Sequence, residues 1–437
     1  MIRSLAELEA AMDRRAFLRM GACAGLGAAL MPRLVSAAAD PDLLPHVRTV
    51  VERWVGPGKF PGMIASLGLP GREPEYAARG SEGFNDGDAV TADSLFRIYS
   101  MTKPITGMAA MELVAQGKLG LDRPVYEILP GFRHMLVQNT YDGSITDLHP
   151  APGPITIRHL LTHTSGIGYT IIQKGPIRTL MEQKGLVAGQ ISRMKVPGLF
   201  GGEPVHGLDV FADRLAEVPL VCDPGTRWSY SMGLDLMGRV IEVVSGRSFG
   251  AYLRETIFEP AGMTSTFFQV PAADAGRLTT NYAAVGQVLV PIDTGQDSIF
   301  LDPPPCPFGG AGLVSSPRDY DRFLRMLAQF GTIGGRRVLS EQAVRTGTQD
   351  LLPKGVTIPA AFGEAAGFGA GGRVGRGMEA GVYGWSGAAG TVGMVDMVHA
   401  LRSQIFVQFM PPNAFGLLPE FQTALKADVI ALLEKHA

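Results

Sequence analysis

The strongest constraint on the fold is where the two apolar periodicities fall. Short extended runs stand at both ends of the chain, and helical spacing fills the middle. Met63 to Leu69 and Tyr76 to Gly83, separated by Pro70-Gly71-Arg72, read as a strand pair. Val382 to Ser386, Gly390 to Val398 and Ser403 to Met410 read as further strands. Between them, Thr156 to Thr162, Gly207 to Ala216 and Leu234 to Val244 carry helical apolar spacing. Ser316-Pro317-Arg318-Asp319 opens another helix with a cap, a proline at its first position and an acid at its third, and Gly331 closes it. Tyr320, Phe323, Leu324 and Leu327 form the buried face of that helix. Leu43 to Val55 and Pro419 to Lys435 read as helices that cover the sheet.

Strands from both termini bury their faces together, so the pattern predicts an α/β (α+β) layer with a mainly helical domain inserted in it. The boundaries are 40–120 with 303–437 for the sheet domain and 121–302 for the insertion. A chain of 437 residues is long enough for such a division. The net charge of -2, with no long run of like charge, argues against nucleic acid as a partner.

Asp13-Arg14-Arg15-Ala16-Phe17-Leu18-Arg19 precedes an apolar run from Met20 to Met31 that is too short to span a bilayer. With the small residues Ser36 to Ala39 it has the form of a twin-arginine export signal, so residues 1–39 are expected to be removed from a periplasmic or secreted protein. The alternative is an ordinary helix starting at Leu5 in a cytoplasmic protein. Beyond that segment only Cys222 and Cys306 remain, read as two separately buried thiols rather than a disulfide. There is no CxxC and no HExxH, so neither a metal site nor a cofactor is expected.

The chemistry is concentrated at Ser100-Met101-Thr102-Lys103. The apolar run Leu95 to Tyr99 precedes it, and Ile105, Met108, Ala109 and Leu113 continue at helical spacing to Gly117. Residues three apart share a helix face, which sets an amine beside a hydroxyl. A second copy, Ser192-Arg193-Met194-Lys195, lies in a Gly- and Pro-flanked stretch and reads as a loop. Gly246-Arg247-Ser248-Phe249-Gly250 fits the G-x-S-x-G pattern, yet that elbow needs a strand before it. Here a helix precedes it, and Ser248 reads as a helix cap. His163 beside Ser165 reads as a structural histidine, because neighbours on one turn do not reach the geometry of a Ser-His pair.

Trp228-Ser229-Tyr230-Ser231-Met232-Gly233-Leu234-Asp235 follows Pro224-Gly225-Thr226. Together with Ser100 to Pro104, Leu160 to Gly166, Gly309 to Ser315 and Trp385-Ser386-Gly387, it carries a resemblance from about residue 45 to the end. In these stretches the chain resembles the family VIII carboxylesterases, the esterase branch of the class C β-lactamase and penicillin-binding-protein superfamily. The resemblance implies a β-lactamase-like fold, an antiparallel sheet flanked by helices. It also implies Ser100 as nucleophile, Lys103 as its cationic neighbour and Tyr230 as general base, with the backbone N–H groups of Ser100 and Ala388 as oxyanion donors. A serine hydroxyl needs a neighbour to take its proton during attack, and a phenol or an amine does so at neutral pH only with help. Which of the two acts stays open.

By the same resemblance Trp385, Ser386, Gly387 and Met232 are expected at the substrate. Trp385-Ser386-Gly387 would form an edge strand, with Gly387 leaving room for substrate. It stands where the β-lactamases have Lys-Thr-Gly, and a tryptophan offers an apolar face and one N–H donor where a lysine would pair with a carboxylate. Neutral short- to medium-chain acyl esters are the small-molecule substrates expected, hydrolysed through an acyl-enzyme. A β-lactamase, a D-alanyl-D-alanine carboxypeptidase, an acyltransferase or a silent binding protein of the same fold are the rival readings. Asp235 is expected to cap or brace the Tyr230 loop, with no chemical role, and 168–208 to form a flap over the pocket or a surface excursion.

Overall fold

The computed structural model describes residues 43–194, 202–359 and 366–434. The export-signal reading of 1–39, Lys195 of the second Ser-x-x-Lys copy and residues 195–201 of the 168–208 stretch lie outside those residues. Seven strands form one antiparallel sheet: β1 (Gly62–Gly68), β2 (Glu75–Gly80), β3 (Gly367–Phe368), β4 (Arg373–Val374), β5 (Val382–Gly387), β6 (Thr391–Asp396) and β7 (Leu401–Phe406). Their spatial order is β3-β4-β5-β6-β7-β1-β2. The two ends of the chain meet at β7 and β1, where Ile64 stands opposite Phe406 and Leu67 opposite Ser403.

Every residue of β1, β5, β6 and β7 is buried, because helices cover both faces. The helices that matter for the site are α1 (Pro45–Trp54), α2 (Thr102–Ala115), α3 (Gly233–Ser245), α4 (Pro317–Ala328) and α5 (Leu417–Glu434). Met63, Ala65 and Leu67 of β1 and Leu401 and Ile405 of β7 share a core with the terminal helices α1 and α5. Tyr383 and Trp385 of β5 and Phe406 of β7 belong to the larger core with α2, α3 and α4. The alternation is that of a pleated strand, which sends successive side chains to opposite faces. It extends to polar residues: Arg402 reaches Asp321 of α4 at 2.9 Å, and the Gln404 amide donates to the Pro317 carbonyl at 2.7 Å.

The helix ends follow their local chemistry. Ser316 caps α4 by accepting the Asp319 N–H at 3.1 Å, and α3 stops at Gly246, whose φ of 69° suits a residue without a Cβ. α2 is buried almost all round, as an internal helix must be when it is apolar on every face.

Three strand readings need correction. The run Ser403 to Met410 is not one strand: β7 ends at Phe406, and Phe409–Met410 pairs in parallel with Tyr282 and Ala283. Between them the buried side chain of Gln408 accepts the Arg97 backbone N–H at 3.1 Å, which takes this polar residue out of the ladder. Its new partner belongs to a hairpin, Asn281–Val285 with Val288–Asp293, inside the segment read as mainly helical. Alanines at 283 and 284 and a proline at 291 weaken the strand signal there. Finally, β5 is not an edge strand, since β3 and β4 lie beyond it. Two-residue strands in a glycine-rich stretch carry no period to read. Among the described residues Tyr383 and Gly384 of β5 pair with β4, and Trp385 to Gly387 pair with β6.

Candidate active site

Ser100 lies in a single 3₁₀ turn, Tyr99–Met101, that runs directly into α2. Tyr99 enters that turn with φ of 41°, a left-handed conformation that a tyrosine holds only under constraint. Its buried ring stands edge-on to Phe300, and its hydroxyl accepts a hydrogen bond from Asn281 at 3.2 Å. Pro104 fits the first turn of α2 because the N–H groups there have no intrahelical acceptor.

One turn on from Ser100, the fully buried Lys103 donates to Ser100 Oγ at 3.2 Å and to the Gly310 carbonyl at 2.7 Å. Tyr230 arrives from the loop before α3, and its Oη lies 2.9 Å from Ser100 Oγ. Folding thus brings the amine, the hydroxyl and the phenol singled out from sequence into one hydrogen-bonded group, with Ser100 only 5% exposed.

The Tyr230 phenol is enclosed. The Trp385 indole N–H donates to its Oη at 3.1 Å, and the Lys103 ammonium sits over its ring at 4.6 Å. His163, Tyr169 and Trp228 surround the same ring, with centroids at 4.6, 5.4 and 5.9 Å. Phe368 of β3 packs against both Trp385 and His163. A donor and a cation already fixed beside an oxygen need no reorganisation when charge develops on it.

His163 is buried. The Ser231 N–H donates to its Nδ1 at 3.2 Å, so the neutral ring carries its proton on Nε2. Burial, reinforced by Lys103, holds the imidazole well below its ordinary range. Its partner is Ser231, whose Oγ lies 2.9 Å away, and it makes no Ser-His pair with Ser165.

Asp235 braces a different loop from the one expected. Its carboxylate accepts the Gly310 N–H at 2.8 Å rather than a group of the Tyr230 loop. Met232 is fully buried at the N-terminus of α3 and has no surface to offer a ligand. Trp385 is 4% exposed, and its N–H points to Tyr230. At Gly387 the space of a side chain is taken by the Ile98 carbonyl and the Thr391 hydroxyl. That glycine therefore lets the end of β5, and Ala388 after it, lie against the turn that carries Ser100. The stretch Leu186 to Ile191 is buried, with Gly189 against Ala311, so this part of the expected flap is a layer over the Gly310 loop.

Ser248 caps a short helix by accepting the Ala251 N–H at 3.4 Å, and Ser192 bonds to the Ile292 carbonyl. Cys222 and Cys306 are free thiols. Among the described residues no group of three His, Cys, Asp or Glu side chains is placed to hold a metal ion. Gly310 stood inside a recognised motif without a role, while Tyr169 and Phe368 carried no sequence signal beyond being apolar.

A family model described as Beta-lactamase matches residues 47–427. The chain is 37% identical to Protein Rv1367c of Mycobacterium tuberculosis over 273 residues, 62% of this chain and 63% of that protein. It is 32% identical to Esterase EstB of Burkholderia gladioli over 286 residues, 61% of this chain and 66% of EstB. These matches span slightly less than two thirds of either relative. The solved structure of EstCE1, described as a hydrolase with promiscuous acyltransferase activity, superposes with a TM-score of 0.68 at 25% identity, covering 87% of this chain and 97% of EstCE1. With a family match over nearly all of the described residues and the same fold as EstCE1, the chain belongs to the beta-lactamase family.

Proposed function

We propose that this protein is a serine carboxylesterase that hydrolyses neutral acyl esters of short to medium chain length through an acyl-enzyme on Ser100. One observation carries the reading: Ser100 Oγ is hydrogen-bonded to both Lys103 Nζ and Tyr230 Oη inside a closed aromatic site. Tyr230 in its ionised form takes the serine proton as Oγ bonds to the ester carbonyl carbon. Lys103 and the Trp385 N–H support the phenolate before that transfer. The carbonyl oxygen, now negative, is received by the backbone N–H groups of Ser100 and Ala388. Tyr230 returns the proton to the alcohol oxygen as the C–O bond breaks, and water then repeats the sequence on the acyl-enzyme.

Neutral esters are favoured because the position of the β-lactamase lysine holds Trp385, whose donor is engaged by Tyr230. An alcohol in place of water would make the same acyl-enzyme a transferase. The description of EstCE1 supports keeping that as the second reading.

In the test, purified protein is assayed on p-nitrophenyl butyrate, nitrocefin and a D-Ala-D-Ala peptide, with fluorophosphonate labelling located by mass spectrometry. The ester should be turned over fastest and the label should sit on Ser100. Ser100→Ala should lower ester turnover by at least about 10³-fold. Wild-type turnover in Ser100→Ala, or faster turnover of nitrocefin or the peptide than of the ester, would overturn the assignment.

A further inference from the structure

Asp235 is a buried charged group beside the site that this chemistry leaves unused. It stands in the first turn of α3, fully buried, on the far side of the Gly310 loop from the nucleophile. Its Oδ1 accepts the Gly310 N–H at 2.8 Å, and its Oδ2 has no partner among the described residues. Gly310 in turn presents its carbonyl to Lys103 Nζ at 2.7 Å. The carboxylate lies against the Gly310 α-carbon so closely that a methyl group there would stand 2.6 Å from Oδ2. Three hydrogen bonds thereby run in series: the carboxylate holds the Gly310 N–H, the same residue's carbonyl holds the ammonium, and the ammonium holds Ser100 Oγ.

An ammonium removed from water needs a compensating negative charge nearby. A direct carboxylate partner would compete with Ser100 for its hydrogen bonds. Here the charge stands one residue away, and Lys103 donates to Ser100 Oγ and the Gly310 carbonyl. We propose that Asp235 is a positioning residue for acylation: it fixes the Gly310 carbonyl that orients Lys103 and supplies the buried counter-charge that keeps the ammonium on Ser100. This rests on the esterase reading above.

Titration of the carboxyl agrees with that geometry. Burial pushes it up to about 6, and Lys103 opposes the rise. The other ionisable groups facing it keep their protons. Burial, Asp235 and Tyr230 together hold the Tyr169 phenol well above its ordinary range, and burial pushes the Cys306 thiol up to about 12. The counter-charge is present above pH about 6 and is lost as pH falls through that value, so kcat/KM should decline on the acid side.

Two variants separate charge from geometry. Asp235→Asn keeps an acceptor for the Gly310 N–H without the charge, and Asp235→Ala removes both. With p-nitrophenyl butyrate, Asp235→Ala should lower kcat about 10²-fold, the scale of a misplaced reacting group. Its KM should stay within about threefold, since the loss falls on the transition state. Asp235→Asn should lie between that variant and wild type and lose the acid-side inflection near pH 6. If Asp235→Ala fails to fold, the nearly isosteric Asp235→Asn decides the matter. Wild-type kcat and a wild-type inflection in Asp235→Asn would overturn the proposal. Fluorophosphonate labelling of wild-type Ser100, run alongside, tells which idea has failed. Labelling with unaffected variants removes only the role of Asp235, whereas absence of labelling removes the esterase reading and this proposal together.

Discussion

Trp385 shows how one side chain can differ in use from its apparent one. Read as a surface for substrate, it points its only donor at Tyr230 Oη at 3.1 Å and is almost fully buried. Trp385→Phe keeps the ring and removes that donor. A hydrogen bond to a charged oxygen contributes about 1.5 to 3 kcal/mol, so kcat on p-nitrophenyl butyrate should fall by at least about tenfold with little change in KM. An unaltered kcat would mean that the bond plays no part in turnover. Asp235 makes a second claim, about stability. Its folded value of about 6 lies above the ~3.9 of a free aspartate. Folding therefore takes up a proton between those values. The stability from the protonated group is full below pH about 4 and lost as pH rises through about 6. Above that, the buried carboxylate costs about 3 kcal/mol, so Asp235→Asn should raise Tm at pH 8 while it lowers kcat. Calorimetry at pH 4 and pH 8 checks this, and an equal Tm difference at both would contradict it.

The end of β5 and the turn Tyr99–Met101 form the contact on which the site depends. They meet without an intervening side chain because residue 387 is a glycine whose Cβ would strike the Ile98 carbonyl. Gly387→Ala should push the strand end away from the turn, costing about 1 to 3 kcal/mol of stability and at least about tenfold in kcat. Steady-state kinetics and urea unfolding test the pair of effects, and a fully active variant would show that the contact tolerates a side chain. Helices were the most legible elements, since Ser316 with Asp319 and the glycine after α3 act within one turn of chain. β3, β4 and the hairpin at 281–293 were not. Two residues cannot display a period, and a hairpin with alanines and a proline takes its strand character from its neighbours in space.

Across the whole molecule, the sheet is closed by strands from the two ends of the chain, and the site lies where the inserted segment returns to it. Cys222 and Cys306 are separate thiols, so a reductant should leave Tm unchanged; a lowered Tm would reveal a disulfide. The strand pair near the start, the capped helices and the shared face of Ser100 and Lys103 were readable from residue order, because each rests on forces between residues a few positions apart. The partner of the Trp385 N–H, the carbonyl that holds Lys103 and the loop that Asp235 supports were not. Those contacts join residues separated by 155, 207 and 75 positions, and only the packing of helices on the sheet brings such distant backbone within a hydrogen bond's length.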